Sequence, residues 1–190
     1  MIMKIRHAAQ VAACLLSGVV CGADGERAET TVRRAPEWLV RGAMYQVQLR
    51  AFTPEGTLKA ATARLPSLKV LGITSVYLWP PNVSDDDPDR SGWSKRQVAS
   101  GCNNPRNPFR IKDYWHVDPE YGTDDDLKAF VAEAHRLGLK VLLDVVYVHC
   151  GPNNPIVREH PEFFRMKDGR IEKTKWNFPM INMESPAARR

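Results

Sequence analysis

Two polar residues near residue 145 are the first candidates for chemistry, because they end a long apolar segment. The segment runs from Lys140 to His149 (KVLLDVVYVH) and contains Asp144 as its only acid. A carboxylate among so many apolar side chains must be paired or hydrogen-bonded, since burying a lone charge is costly. A histidine at the carboxyl end of a strand is placed to donate a hydrogen bond to a ligand hydroxyl. The alternative is that Asp144 is a structural ion-pair partner and His149 an ordinary loop residue, and the residues alone leave both open.

This segment is predicted to be the third buried strand, covering residues 140–148. Strict alternation would place Asp144, Val146 and Val148 on one face of the strand. Val145, Tyr147 and His149 would then face the opposite way, unless a bulge intervenes. His149 would thus lie at the strand end, where parallel α/β folds bind their ligands.

Two earlier strands and two helices are predicted to position this segment. Residues 43–52 (AMYQVQLRAF) alternate as in a strand, and residues 73–79 (ITSVYLW) form a β-branched and aromatic strand that Pro80 and Pro81 end. The helix between them, 57–71, is expected to be kinked near Pro66 and carries one apolar face: Leu58, Ala61, Leu65, Leu68 and Leu71.

The second helix begins at Thr123, which forms a capping box with Asp126. Its apolar positions recur at helical spacing: Leu127, Phe130, Val131, Ala134 and Leu137. Both helices end in Leu-Gly, at Gly72 and Gly138, and a buried strand follows each at once. The order βαβαβ predicts a parallel sheet with right-handed crossovers.

The connection 81–122 is much longer than such a fold requires and contains the acidic run 85–87. Long loops after strand ends commonly hold binding sites, and a mobile surface insertion over 84–104 is the alternative. Topology alone fits a doubly wound sheet and an eight-stranded barrel equally. The sequence lacks a Gly-x-Gly-x-x-Gly segment and a Gly-Lys-Ser/Thr loop, which disfavours the nucleotide-binding fold.

Residues 1–23 are predicted to be a secretory signal peptide. Lys4 and Arg6 precede a short apolar run that ends in small residues, and cleavage is expected after Ala23. A lipoprotein anchored through Cys21 and an amphipathic helix are weaker alternatives. The chain is therefore expected to be secreted or periplasmic without a permanent membrane span, and residues 24–40 to be a linker.

Composition excludes some function classes and leaves the redox state of the cysteines open. Removing residues 1–23 lowers the net charge from +5 to +3, and basic residues are interspersed with acids, so nucleic acid is not an expected partner. Outside the predicted signal only Cys102 and Cys150 remain, and a disulfide between them is as plausible as two thiols in an oxidising compartment.

Several segments in order resemble the α-amylase family of glycoside hydrolases. Residues 144–149 are similar to the family's first signature region, and 107–114 followed by 117–123 resembles the stretch leading into its second barrel helix. The family's first strand and helix are matched by segments around Tyr45 and Leu65, and 160–186 resembles the start of its inserted small domain. The resemblance covers nearly all of residues 43–186.

The resemblance implies a partial TIM (β/α)8 barrel, with the first three strands and two helices over 41–150. Residues 151–190 would begin an inserted domain after the third strand. It implies a retaining enzyme that hydrolyses or transfers α-glucosidic bonds of an α-glucan or maltooligosaccharide. The nucleophile, the acid/base and a third carboxylate would lie beyond Arg190, so no catalytic residue is expected within this chain, which should be inactive alone.

The resemblance also assigns substrate-binding residues. His149 matches the histidine that hydrogen-bonds the sugar at the cleavage subsite, and Asp144 matches the aspartate that organises the site. Phe109 replaces the tyrosine that stacks on that sugar. Val148 replaces an asparagine ligand of a structural calcium, and a valine has no oxygen to offer, so that calcium site is in doubt and no cofactor is required. The acids at 85, 86, 87 and 89 are expected to form a solvated loop rather than a metal site.

Two other function classes remain as alternatives to an enzyme of this family. A non-catalytic relative could bind glucans or serve a transporter, and it would lack the later carboxylates. An unrelated nucleotide-linked oxidoreductase would need the glycine fingerprint that the sequence lacks.

Overall fold

A three-stranded parallel sheet forms the centre of the computed structural model, which describes residues 34–86, 90, 95–100 and 107–189. The strands are β1 (Ala43–Val47), β2 (Ile73–Leu78) and β5 (Lys140–Leu143), in the order β1-β2-β5. Both pairings are parallel, as the sequence predicts. All of this lies in the unit 35–190. The predicted signal peptide and most of the predicted linker lie outside the described residues.

Two helices cover the sheet, and both agree closely with the sequence prediction. Helix α3 (Leu58–Val70) runs continuously through Pro66, and helix α5 (Asp124–Arg136) begins with the expected capping box. Thr123 and Asp126 exchange hydrogen bonds in both directions, which satisfies backbone donors that a helix start leaves unpaired. Gly72 and Gly138 follow the helix ends with φ angles of 81° and 72°, a left-handed conformation that favours glycine.

The core lies between these helices and the sheet. Its fully buried side chains come from both layers: Val47, Leu58, Leu65, Val76, Leu78 and Phe130. The predicted apolar face of α3 is buried at four of its five positions, and Leu71 is the exception, with 71% of its surface exposed. Leu71 is the C-cap residue that follows the last helical residue, Val70.

Two predicted strands are shorter in the structure, and one cause explains both. The strand predicted for 43–52 ends at Val47 and is followed by the helical turn α2 (Leu49–Phe52), while the strand predicted for 140–148 ends at Leu143. The last bonds to the central strand are those of Trp79 to Val47 and of Asp144 to Leu78. Pro80 and Pro81 follow in the central chain and have no N–H to donate, so the ladder cannot continue on either side.

A second sheet lies in the long connection and was not predicted. Strand β3 (Asn82–Ser84) pairs antiparallel with β4 (Ile111–Val117), and the register shifts twice along this short pair. Helix α4 (Lys95–Ser100) lies between them in the chain. A surface insertion over 84–104 was the alternative for this connection; the end of β3 and helix α4 fall within that range, while Asp87, Asp89 and Cys102 lie outside the described residues.

The remaining elements are short, and all except the first follow β5 in the chain. They are the N-terminal turn α1 (Glu37–Val40), helix α6 (Ile156–Glu159), a 3₁₀ turn (Pro161–Phe163) and the hairpin β6 (Met166–Lys167) with β7 (Arg170–Ile171). Within the described part of the chain, none of the helices combines the length and the apolar character needed to cross a bilayer.

Candidate functional site

His149 lies beyond the end of β5, where the chain leaves the sheet and bonds to a later segment. Its Nε2–H donates to the backbone carbonyl of Phe109 at 3.0 Å, and its ring lies 5.0 Å from the ring of Phe178. The backbone of His149 forms an antiparallel bridge with Met180. His149 and Phe109 were predicted from distant segments to share a site, and the structure brings them into contact.

The ionisation of His149 follows from this environment. Burial lowers the pKa of the imidazole, and the hydrogen bond to the Phe109 carbonyl only partly opposes that effect. The ring is therefore neutral at pH 7. Because Nε2 already donates to a carbonyl, Nδ1 is the nitrogen left to accept a hydrogen bond.

Phe109 occupies the loop before β4, beside the end of β2. Its ring packs against the ring of Trp79 with centroids 5.1 Å apart and planes at 60°. Edge-to-face packing of this kind holds both rings in place. A pocket of about 250 Å³ adjoins Trp79, lined by Tyr45, Gln46, Gln48, Ala51 and Phe52. Neither Phe109 nor His149 lines this pocket.

Asp144 is hydrogen-bonded, as its place in an apolar segment requires. The Tyr77 hydroxyl bonds to the Asp144 carboxylate, and this contact raises the pKa of the tyrosine. Tyr77 lies on β2 and Asp144 directly follows β5, so the pair connects β2 to the end of its neighbouring strand. Among the described residues, no hydrogen bond or ring contact joins Asp144 to His149 or Phe109.

The alternation predicted for residues 144–149 fails because the strand has already ended. Val146 is only 7% exposed, whereas Val148 is 59% exposed, although both were assigned to one face. Beyond Leu143 the backbone follows other partners, and Ile181 donates to the Val148 carbonyl at 3.0 Å. The direction of His149 is thus set by the later segment and not by the pleat of the sheet.

Tyr114 holds the His149 segment from the other side. Its hydroxyl lies 2.9 Å from the Val146 carbonyl and 3.0 Å from the His149 carbonyl, so one hydrogen is shared between two acceptors. Burial raises the pKa of Tyr114, so the hydroxyl remains a donor at neutral pH. The sequence did not single out Tyr114 as a functional residue. Its only signal was its position in the segment 107–114, which resembles the family.

Asp85 anchors the loop after His149 and corrects a prediction. It was expected in a solvated acidic loop, but it is fully buried and accepts hydrogen bonds from Asn153 N at 2.7 Å and Asn153 Nδ2 at 3.0 Å. Gly151 N also donates to the Ile111 carbonyl at 2.8 Å. The loop after His149 is thereby fixed to the β3–β4 sheet.

Asp118, which lies in the segment 117–123 that resembles the family, has a structural role. Its buried carboxylate accepts from Ser84 N at 3.0 Å, from Ser84 Oγ at 2.9 Å and from Glu120 N at 3.0 Å. Glu120 in turn forms a bidentate pair with Arg50 at 2.7 and 2.8 Å, and this bond raises the pKa of the arginine. These acids connect elements and are already engaged.

Neither a metal cluster nor a disulfide is seen in the described ranges. No group of three or more His, Cys, Asp or Glu side chains there could hold a metal ion. Cys150 is a buried free thiol, and burial with the nearby Asp85 charge raises its pKa to about 12. Its suggested partner, Cys102, lies outside the described residues.

Parallel strands in sequential order, connected by helices and carrying polar residues at their carboxyl ends, are the start of a TIM-barrel arrangement. Residues 22–185 match the alpha-amylase family, described as the alpha amylase catalytic domain. The chain belongs to this family, and the resemblance found in the sequence is confirmed.

Named relatives agree with this assignment. The chain is 37% identical over 121 residues to a malto-oligosyltrehalose trehalohydrolase from Deinococcus radiodurans, a match covering 63% of this chain and 17% of the relative. It is 40% identical over 122 residues to an alpha-1,4-glucan:maltose-1-phosphate maltosyltransferase from Bifidobacterium longum, covering 62% and 16%. The chain thus spans less than a fifth of the length of these relatives.

A solved structure shows the same fold. The crystal structure of an alpha-amylase from Lactobacillus plantarum superimposes with a TM-score of 0.67 at 31% identity, covering 79% of this chain and 34% of that one.

Proposed function

We propose that this chain is the N-terminal portion of a retaining glycoside hydrolase that hydrolyses or transfers α-glucosidic bonds of α-glucans. The family match over residues 22–185 is the observation that carries the proposal. The relatives named above include a hydrolase and a transferase, so both reactions remain within its scope.

In this proposal the three parallel strands are the first three of a (β/α)8 barrel. Residues 41–150 form that part of the barrel, and residues 151–190 begin a small domain inserted after its third strand. A TIM barrel typically needs about 250 residues, so further strands would complete the closed sheet. The exposed edge near Leu143 and Val145 would be covered by the next strand.

His149 and Phe109 would bind the sugar at the cleavage subsite. With Nε2 donated to the Phe109 carbonyl, a neutral His149 would accept from a sugar hydroxyl through Nδ1, which refines the donor role expected from the sequence. Asp144 would organise the site through its bond to Tyr77. Phe109 would keep the apolar stacking surface of the tyrosine that the family usually has there.

The catalytic carboxylates are proposed to lie outside this chain. Retaining glycosidases use two carboxyl groups about 5 Å apart, one as nucleophile and one as acid/base. The buried acids of the described site, Asp85 and Asp118, are already hydrogen-bonded to backbone and side chains that they position. They have structural roles, and the chain by itself is expected to be inactive.

The proposed enzyme is exported and works without a cofactor. Residues 1–23 would direct the protein out of the cytoplasm and residues 24–40 would link to the barrel. No cofactor is required, and the calcium site that the family often has near residue 148 would be absent because Val148 offers no oxygen ligand.

The test is to express the full open reading frame and assay it on starch, maltooligosaccharides and small α-glucosides. Release or transfer of sugars with retained α configuration is expected. Tight binding of maltooligosaccharides without turnover would instead support the non-catalytic glucan-binding alternative. Absence of both turnover and binding on every α-glucan would refute the proposal.

A further inference from the structure

A row of rings connects His149 to the protein surface. The Phe178 ring lies 5.0 Å from the imidazole of His149, and the Trp176 ring lies 6.4 Å from Phe178. Trp176 ends the row with 47% of its surface exposed. We propose that Trp176 is a stacking subsite for an additional glucosyl unit of a chain whose other part occupies the His149 site. This inference rests on the proposed function.

The turn that presents Trp176 is held by hydrogen bonds on both sides. Thr174 N donates to the Phe178 carbonyl at 2.8 Å, and Asn177 N donates to the Thr174 carbonyl at 2.9 Å. The Thr174 hydroxyl oxygen accepts from Trp176 N and Phe178 N, each at 3.2 Å. A backbone turn fixed in this way does not have to be ordered when a ligand binds, so more of the contact energy appears as affinity.

Asn177 keeps this turn in an unusual conformation. Its φ angle is 66°, in the left-handed region that non-glycine residues enter at some cost, although asparagine tolerates it better than most. Such conformations persist where the surroundings enforce them, and they concentrate at binding sites. The strained residue lies directly between Trp176 and Phe178.

A charged side chain lies near each of the two rings. Lys175 Nζ lies 4.5 Å from the Trp176 ring centroid, and the Arg110 guanidinium lies 5.4 Å from that of Phe178. A cation near an aromatic face is attracted to the partial negative charge of that face. Phe178 is half-buried between His149 and Arg110, so it acts as a spacer, while Trp176 retains open surface.

The chemistry of an indole suits a sugar unit of an α-glucan. The faces of aromatic rings carry partial negative charge and attract the C–H groups along a pyranose ring, while the sugar hydroxyls remain in water. A ligand must extend past the His149 site by the width of Phe178 before it reaches Trp176. Trp176 should therefore favour longer chains over shorter ones.

The experiment compares a long and a short ligand in the full-length protein. Kinetics and calorimetric binding would be measured with maltoheptaose and maltotriose for the wild type, W176A, W176F and W115A. Trp115 is a matched control, because it is 84% exposed and lies on β4 outside the row. Loss of one stacking contact should weaken maltoheptaose binding and raise its KM by roughly 3- to 10-fold in W176A.

The remaining results discriminate between a subsite and a general structural role. Maltotriose should be little affected by W176A, W176F should recover most of the loss, and W115A should match the wild type. Equal losses for both ligands, or no loss for maltoheptaose, would overturn the subsite while leaving the proposed function intact. Failure of the wild type to bind or process either ligand would overturn both.

Discussion

Replacing Tyr114 by phenylalanine removes a single oxygen and tests how the His149 segment is held. That hydroxyl serves the Val146 and His149 carbonyls at 2.9 and 3.0 Å, so both acceptors lose a donor in Y114F. Leaving buried acceptors without their donor costs about 1–3 kcal/mol. The backbone after β5 should therefore open more often in the variant.

Hydrogen exchange measures this opening locally, in the full-length protein. A loss of about 1–3 kcal/mol corresponds to roughly 5- to 150-fold faster exchange of the amides that this anchor protects. The amides of Cys150 and Gly151 are the reporters, since they donate to the Pro179 and Ile111 carbonyls next to the anchored segment. Amides of helix α5 should exchange at an unchanged rate.

Tyr147 supplies the matched control, because it lies within the anchored segment, carries the same phenol group as Tyr114 and is 60% exposed. A surface substitution such as Y147F should change stability by less than about 0.5 kcal/mol. If Y114F and Y147F gave the same exchange rates at Cys150 and Gly151, the Tyr114 hydroxyl would not be an anchor.

H149A should lower turnover on α-glucans markedly. The control H160A removes an exposed histidine paired with Glu162 and should leave turnover unchanged. Unchanged kinetics in H149A would refute the proposed role of His149 in sugar binding. EDTA should leave activity largely intact, because Val148 cannot ligate calcium, and strong inactivation would contradict that inference. Burial raises the pKa of the Cys150 thiol to about 12 from an ordinary value of 9.0. Because the folded protein holds this proton more tightly than the unfolded chain, the thiol's contribution to stability is complete below pH 9 and is lost as the pH rises toward 12. Over that range the free energy of unfolding should fall by up to about 1.4 kcal/mol per pH unit. In urea unfolding, the free energy of unfolding of C150A should fall less steeply between pH 9 and 12 than that of the wild type. Parallel pH dependence in the two proteins would argue against the raised pKa of Cys150.

The helices and the parallel sheet were predictable because their signals are local. The capping box at Thr123, the Leu-Gly stops and the apolar spacing of α3 each lie within a few residues of the element that they define. The order of these elements then restricts the topology to parallel strands with crossovers. The family resemblance added the barrel and the role expected of His149.

The strand ends and the β3–β4 sheet were not predictable in this way. Where β1 and β5 stop is decided by Pro80 and Pro81, which follow the neighbouring strand β2, and not by residues within β1 or β5 themselves. The short β3–β4 pairing contains two register shifts, which leave no regular alternation in the sequence.

The environment of the site depends on contacts far apart in the chain. Asp85 belongs to an acidic run that is typical of solvated loops, and only its bonds to Asn153, 68 positions later, show that it is buried. Phe178 reaches His149 from a segment that has no strand or helix pattern. Such partners are fixed by the folded backbone, so no periodicity in the sequence reveals them.

The closeness of Gly151 to Asp85 restricts how this region can vary between related proteins. A Cβ at position 151 would lie 2.5 Å from the Cβ of Asp85, nearer than side chains can approach. Alanine at 151 therefore requires glycine at 85 or a shift of the backbone, and glycine at 85 deprives the Asn153 amide of its acceptor. Recombined or shuffled relatives should tolerate exchange of the segments around residues 85 and 150 only when both come from the same parent.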